Sequence, residues 1–286
     1  MSTFSGIWVA LVTPFRGGQV DLPALRSLAT HLIDSGAAGL VVCGTSGEAA
    51  ALDEQEQLAV LDAVLEVVPA SRVVMGLAGN NQVAVLARLQ SIQSRPLAGL
   101  LVPAPYYIRP SQEGLQLFFQ AIADASRLPI ILYDIPYRSA VSLELQTLRQ
   151  LARHPRIVAI KDCGGDLRKT QALIADGQLD VLTGEDEQIF TTLCLGGSGA
   201  ISAAAHLRTA DFAAVVSLLR EGDLLAGRAL FHQLLPWIRA AFSEPNPAPV
   251  KAMLAMQGLI ADELRAPLLR LSLIHISEPT RRYAIS

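Results

Sequence analysis

Only three side chains in this sequence carry a primary amine: Lys161, Lys169 and Lys251, against twenty arginines (23 basic residues less the three lysines). If an amine is the nucleophile of a reaction the choice is narrow, because a guanidinium stays protonated at neutral pH. Lys161 holds the most informative position. The stretch Arg156-Ile-Val-Ala-Ile-Lys-Asp-Cys-Gly-Gly165 reads as a short buried strand that runs into the lysine and stops at the glycine pair. A lysine at the end of a buried strand is costly to desolvate. Either the amine does chemistry, or the side chain reaches past the strand end into water.

Other residues offer chemistry of their own. Gly44-Thr45-Ser46-Gly47 presents backbone N–H groups and two hydroxyls, which suit a small anion. It lacks the lysine and spacing of a P-loop, so a carboxylate fits better than a phosphate; taken alone it is equally a tight turn that needs two glycines. Tyr133 closes a second apolar run and could pass protons through its phenol, or be a core tyrosine with its hydroxyl at the rim. Arg138 suits a two-pronged grip on a carboxylate, although an arginine on a loop is usually a solvated charge. Cys163 has no histidine near it in sequence and reads as packing. No strand end carries a cluster of histidine, aspartate and glutamate, which argues against a metal-dependent aldolase. The five histidines read as structural or exposed, and neither metal nor cofactor is expected.

These residues need a frame, and the chain supplies a repeating one. β-rich runs at 8–13, 39–43, 72–76, 99–102, 129–133, 157–161, 179–183 and 199–202 alternate with helical runs near 21–35, 54–68, 82–93, 111–125, 143–151, 167–174 and 186–195. Asp21 is placed to cap the first helix, with Pro23 in its first turn. Repeated βα units predict a parallel sheet with right-handed crossovers. Eight of them, nearly all apolar, fit a closed (β/α)8 TIM barrel better than an open sheet. Three more helices, near 210–220, 224–241 and 249–259, follow the last strand. The expected organisation is a barrel over 1–205, a helical extension over 206–270 and a foreign tail over 271–286. In such barrels functional groups sit at the C-terminal ends of the strands, which is where Lys161, Tyr133 and the hydroxyl turn fall.

Bulk properties exclude other classes. Half the residues are hydrophobic, enough for a large core, in one α/β domain or two small ones. A net charge of −3 gives no general reason to bind nucleic acid or an anionic membrane. No run approaches the roughly 20 apolar residues of a membrane span, the start is polar, and the apolar run 7–12 is too short for a signal peptide. Three cysteines without ligand spacing read as reduced thiols. The expected location is the cytoplasm.

Six segments together carry a resemblance: Gly-Thr-Ser-Gly-Glu at 44–48, Pro-Tyr-Tyr-Ile-Arg-Pro-Ser-Gln-Glu-Gly at 105–114, Leu-Tyr-Asp-Ile-Pro-Tyr-Arg at 132–138, Ile-Lys-Asp at 160–162, Gly-Gly-Ser-Gly-Ala-Ile-Ser at 196–202 and Glu-Pro-Asn-Pro-Ala-Pro-Val-Lys at 244–251. In this order, over about residues 6–269, the chain resembles the 4-hydroxy-tetrahydrodipicolinate synthase (dihydrodipicolinate synthase) family. The resemblance implies condensation of pyruvate with L-aspartate 4-semialdehyde on the route to diaminopimelate and lysine. It implies that Lys161 forms an imine with pyruvate, with no other cofactor. It implies a proton relay of Thr45, Tyr107 and Tyr133, Tyr107 reaching in from a neighbouring subunit of a homotetramer built as a dimer of dimers. It gives Ser46 to the pyruvate carboxylate, Arg138 to that of the semialdehyde, and places Gly184 and the backbone carbonyl of Ile201 near the lysine. Sister aldolases acting on N-acetylneuraminate or oxo-sugar acids share the lysine, tyrosine and turn; Arg138 and segment 244–251 favour the synthase. A barrel that has lost catalysis and only binds a ligand is the reading from another class.

The sequence also departs from the family. Ser46 stands where a second threonine is usual, Ile108 replaces a common asparagine, and Tyr137 crowds the arginine loop. Around the family's allosteric lysine site Asn80 and Tyr106 remain, but Ala49, Glu54, Gln57 and Ala84 stand where several ligands would be. Weak or absent inhibition by lysine is expected. From Leu271 onward the sequence looks like a translated sequencing-library adapter, an assembly artefact expected to be poorly ordered.

Overall fold

Eight parallel strands close into a barrel in a computed structural model that describes residues 4–271. Apart from Leu271, the adapter-like tail lies outside the described residues. In chain order the elements are β1 Gly6–Ala10, β2 Phe15–Arg16, β3 Gln19–Val20, α1 Leu22–Asp34, β4 Gly39–Val42, α2 Glu54–Leu65, β5 Val73–Gly76, α3 Gln82–Ile92, β6 Gly99–Pro103, α4 Gln112–Ala125, β7 Ile130–Asp134, α5 Pro136–Ser139, α6 Leu145–Leu151, β8 Ile157–Asp162, α7 Leu167–Asp176, β9 Asp180–Thr183, α8 Ile189–Cys194, β10 Gly199–Ser202, α9 Thr209–Arg220, α10 Leu224–Ala241 and α11 Ala248–Met256. The barrel order is β1-β10-β9-β8-β7-β6-β5-β4, with β2 and β3 forming a separate antiparallel hairpin. This is the (β/α)8 TIM barrel that the repeating pattern predicts, followed by the three expected helices.

By their internal contacts the described residues divide into two units, one of 4–6 and 74–201, the other of 7–73 and 202–271. In the first, β6, β7, β8 and β9 form a continuous ladder. Nearly every residue of these strands is buried, because helices cover one face and barrel neighbours the other. Three helices of this unit start on side-chain caps: Asn81 before α3, Ser111 before α4 and Asp166 before α7 accept from first-turn N–H groups.

In the second unit, β1 pairs with β4 and α1 packs on α2. Asp21 caps α1 with Pro23 in its first turn, as the sequence predicts, and Asp53 with Glu56 forms a capping box on α2. Helices α9, α10 and α11 pack in succession. Strand β1 ends at Ala10 rather than running to Thr13. Side chains capture the backbone beyond it: the Val12 N–H donates to Nε2 of His206 at 3.2 Å, and the Thr13 hydroxyl donates to the Gly47 carbonyl at 2.7 Å. The hairpin β2–β3 carries no hydrophobic alternation, which is why the sequence pattern does not reveal it.

Candidate active site

Strand β8 has four apolar residues and then ends in Lys161 and Asp162, and β7 ends likewise in Tyr133 and Asp134. The two are in register, Tyr133 beside Lys161 and Asp134 beside Asp162. Because side chains alternate along a strand, Tyr133 and Lys161 share one face and the two aspartates share the other. Lys161 and Tyr133 are both buried, and the Lys161 Nζ stands 4.4 Å from the centroid of the Tyr133 ring.

The aspartate face is an ionic cluster. The Lys169 ammonium of α7 pairs with Asp134 and also donates to Ser142 Oγ and the Leu143 carbonyl, each at 3.2 Å. Asp134 accepts from the Leu143 N–H at 3.0 Å. Asp162 accepts from the Thr170 hydroxyl at 2.6 Å and the Gly164 N–H at 2.9 Å. Burial pushes the Asp134 carboxyl above the usual carboxylate range, and the Lys169 charge opposes that.

Gly184 follows β9, its N–H donating to the Asp162 carbonyl at 2.9 Å. A Cβ here would collide with Lys161 Cε and Cys163 Sγ, so only glycine fits beside the lysine. Burial pushes the Cys163 thiol far up, leaving no thiolate; the cysteine packs, as its sequence context suggests. Arg138 lies on α5, exposed, its guanidinium 5.8 Å from the Tyr137 ring centroid. Tyr137 is itself exposed. Ile201 is on β10, separated from β8 by β9. Tyr107 projects from the loop after β6, 87% exposed, at a φ of 72° that a bulky residue rarely adopts. Beside it the Tyr106 N–H donates to the Asn80 side chain at 2.9 Å.

The hydroxyl turn belongs to the second unit. After β4 the backbone enters and leaves it through left-handed residues, Cys43 at φ 51° and Glu48 at φ 52°. Thr45 is exposed and Ser46 buried. The Glu48 carboxylate accepts from Lys251 Nζ at 2.6 Å, neither side chain reaching solvent, and from the Arg265 N–H at 3.1 Å. Lys251 also lies over the Phe15 ring at 4.2 Å. The Asn246 amide donates to Ser46 Oγ at 2.8 Å.

All three lysines are therefore buried, and two are spoken for: Lys169 by Asp134 and Lys251 by Glu48. Among the described residues Lys161 makes no ion pair. A nitrogen engaged by a carboxylate is not available to a substrate, whereas a nucleophile must be free to reach a carbon. The sequence does not expose the partners Asp134, Asp162, Lys169 and Glu48. The one signal was an aspartate directly after both Tyr133 and Lys161. Among the described residues no group of three or more His, Cys, Asp or Glu is placed to hold a metal, and no helix is long and apolar enough to cross a membrane.

A buried amine beside a phenol at the C-terminal end of a barrel strand is an arrangement that a (β/α)8 enzyme acting on a carbonyl substrate can use. The model of the dihydrodipicolinate synthetase family matches residues 3–280, and the chain belongs to that family. It is 41% identical over 273 residues to the 4-hydroxy-tetrahydrodipicolinate synthase of Syntrophobacter fumaroxidans, covering 94% of each chain. To that of Syntrophus aciditrophicus it is 39% identical over 275 residues, again covering 94% of each. The solved 4-hydroxy-tetrahydrodipicolinate synthase of Methylacidiphilum fumariolicum SolV superposes with a TM-score of 0.94 at 34% identity, over 98% of this chain and 94% of that one. Membership makes the chain a lyase of lysine and diaminopimelate biosynthesis.

Proposed function

We propose that Lys161 carries the condensation of pyruvate with L-aspartate 4-semialdehyde as a covalent imine, with no other cofactor. The observation that supports this is the contrast among the three lysines: only Lys161 is buried without a carboxylate partner. Its amine adds to the pyruvate ketone carbon, and the carbinolamine loses water to give the imine. Loss of a methyl proton forms the enamine, whose carbon attacks the aldehyde carbon of the second substrate. Tyr133, whose ring is against the amine, moves protons in these steps together with Thr45 and Tyr107, the roles that the family resemblance assigns. Ser46 donates to the pyruvate carboxylate and Arg138 grips that of the semialdehyde. Gly184 leaves room for the lysine, and the Ile201 carbonyl faces the reaction. The exposure of Tyr107 fits a side chain that completes the site of a second copy, within a homotetramer arranged as a dimer of dimers. The protein works in the cytoplasm, and its substrates are small molecules rather than nucleic acid or membrane.

Borohydride reduction in the presence of pyruvate, read by mass spectrometry, tests the reading. A reduced pyruvate adduct on Lys161, diminished when the semialdehyde is present, is the expected result. An adduct that the semialdehyde does not discharge would assign a sister aldolase, and no adduct would leave a barrel without this chemistry. Tyr133→Phe should keep the adduct yet turn over 100- to 10,000-fold more slowly, the usual contribution of a positioned proton carrier, about 3 to 5 kcal/mol.

A further inference from the structure

Segment 244–251 carries part of the family resemblance, yet none of its residues has a role in the reaction just described. Two of its side chains nevertheless end on the hydroxyl turn. Lys251 holds Glu48 at 2.6 Å, and the Asn246 amide donates to Ser46 Oγ at 2.8 Å. With the Thr13 hydroxyl on the Gly47 carbonyl, three consecutive residues of the turn are each held by a side chain. The hold on Glu48 fixes where the turn lies. The hold on Ser46 does something further.

A serine hydroxyl has one proton and two lone pairs. Ser46 Oγ spends a lone pair on Asn246, so its own proton is free to point elsewhere. Asn246 Oδ1 is buried and takes no hydrogen bond among the described residues. Had the amide been turned the other way, Oδ1 would draw the serine proton, and an incoming anion would meet a lone pair. The amide orientation thus sets whether Ser46 can donate to an anion or repels it.

Resting on the reading that Ser46 meets the pyruvate carboxylate, we propose that Asn246 is a positioning residue that fixes the proton direction of Ser46 and makes the turn a donor site for small α-oxo carboxylates. It acts through Ser46 and touches no reacting atom. The consequence is confined to the first substrate: losing Asn246 weakens capture of pyruvate while leaving the aldehyde step alone.

The test is the pyruvate concentration that half-saturates borohydride trapping, which needs no second substrate, measured on the full chain. Asn246→Ala should raise it about five-fold or more in the wild-type background and leave it unchanged in a Ser46→Ala background. Asn246→Asp supplies an acceptor in place of the donor; it should raise half-saturation at least ten-fold at pH 8, with recovery as acid protonates the introduced carboxylate. KM for the semialdehyde should stay within two-fold in both variants. Should the carboxylate variant not fold, as read by near-UV circular dichroism, Asn246→Leu serves in its place without the pH term. Equal effects of Asn246→Ala with and without the Ser46 hydroxyl, or wild-type trapping by Asn246→Asp (or its replacement), would overturn this inference alone. A wild type that forms no adduct would overturn the reaction itself, and this inference with it.

Discussion

Lys161 and Tyr133 stand side by side in register on β8 and β7, amine 4.4 Å from ring centroid, and the residue after each turns to the opposite face into a buried ionic cluster. The reactive pair and the structural pair are thus one residue apart on the same two strands. Whatever fixes Asp134 and Asp162 fixes the backbone that presents Tyr133 and Lys161. This coupling has an energetic consequence.

Lys169→Met removes the cation and leaves the Asp134 carboxylate buried without it. Breaking a buried pair by deleting one partner costs about 3 to 5 kcal/mol, so the midpoint of urea unfolding should fall accordingly. Lys169→Met combined with Asp134→Leu should recover most of that loss, since an apolar pair of similar volume tolerates burial. If the double variant were as unstable as the single one, the cluster would not be the reason.

Gly184→Ala tests the close approach to the lysine. The added methyl meets Lys161 Cε and Cys163 Sγ, both buried, so the lysine side chain must shift. Imine formation with pyruvate should slow at least ten-fold with the fold intact, measured by the rate of adduct appearance under borohydride. An alanine variant that traps pyruvate at the normal rate would show that the lysine has room to spare.

His206 gives the molecule an acid limit. Its ring bonds to Ala203 and Val12 inside the core, and burial pushes its pKa down to about 4 from 6.5. Folding therefore keeps the imidazole neutral, and protons bind the unfolded chain first. Stability from this group is complete above about 6.5 and is lost progressively as pH falls to about 4. The difference is worth roughly 3 kcal/mol. Unfolding free energies measured across that window should decline for the wild type. A His206→Leu variant, less stable at pH 7, should show a correspondingly shallower decline.

Lysine should inhibit weakly or not at all. Ala49 and Ala84 offer no polar atom beyond the backbone, and the Asn80 side-chain oxygen already accepts from the Tyr106 N–H. A titration of lysine to several millimolar against initial rate checks this; strong inhibition at sub-millimolar concentration would contradict it.

The sequence by itself determined the architecture and the reactive face. Short continuous apolar runs separated by helical runs specify repeated βα units, because burial on both faces of a parallel strand requires continuous apolar residues. Crossover handedness follows from chain chirality and eight βα units suit a closed barrel, so the position of Lys161 at a strand end was already a statement about where it would lie. Residues close in sequence, such as Gly44 to Glu48 or Tyr133 with Asp134, were legible for the same reason. What only the tertiary structure decided was which charges meet. Lys169 reaches Asp134 across 35 positions, and Lys251 reaches Glu48 across 203. No local pattern encodes such pairings, since a buried charge can be satisfied by any partner that packing brings near. Those pairings are what set Lys161 apart from the other two lysines.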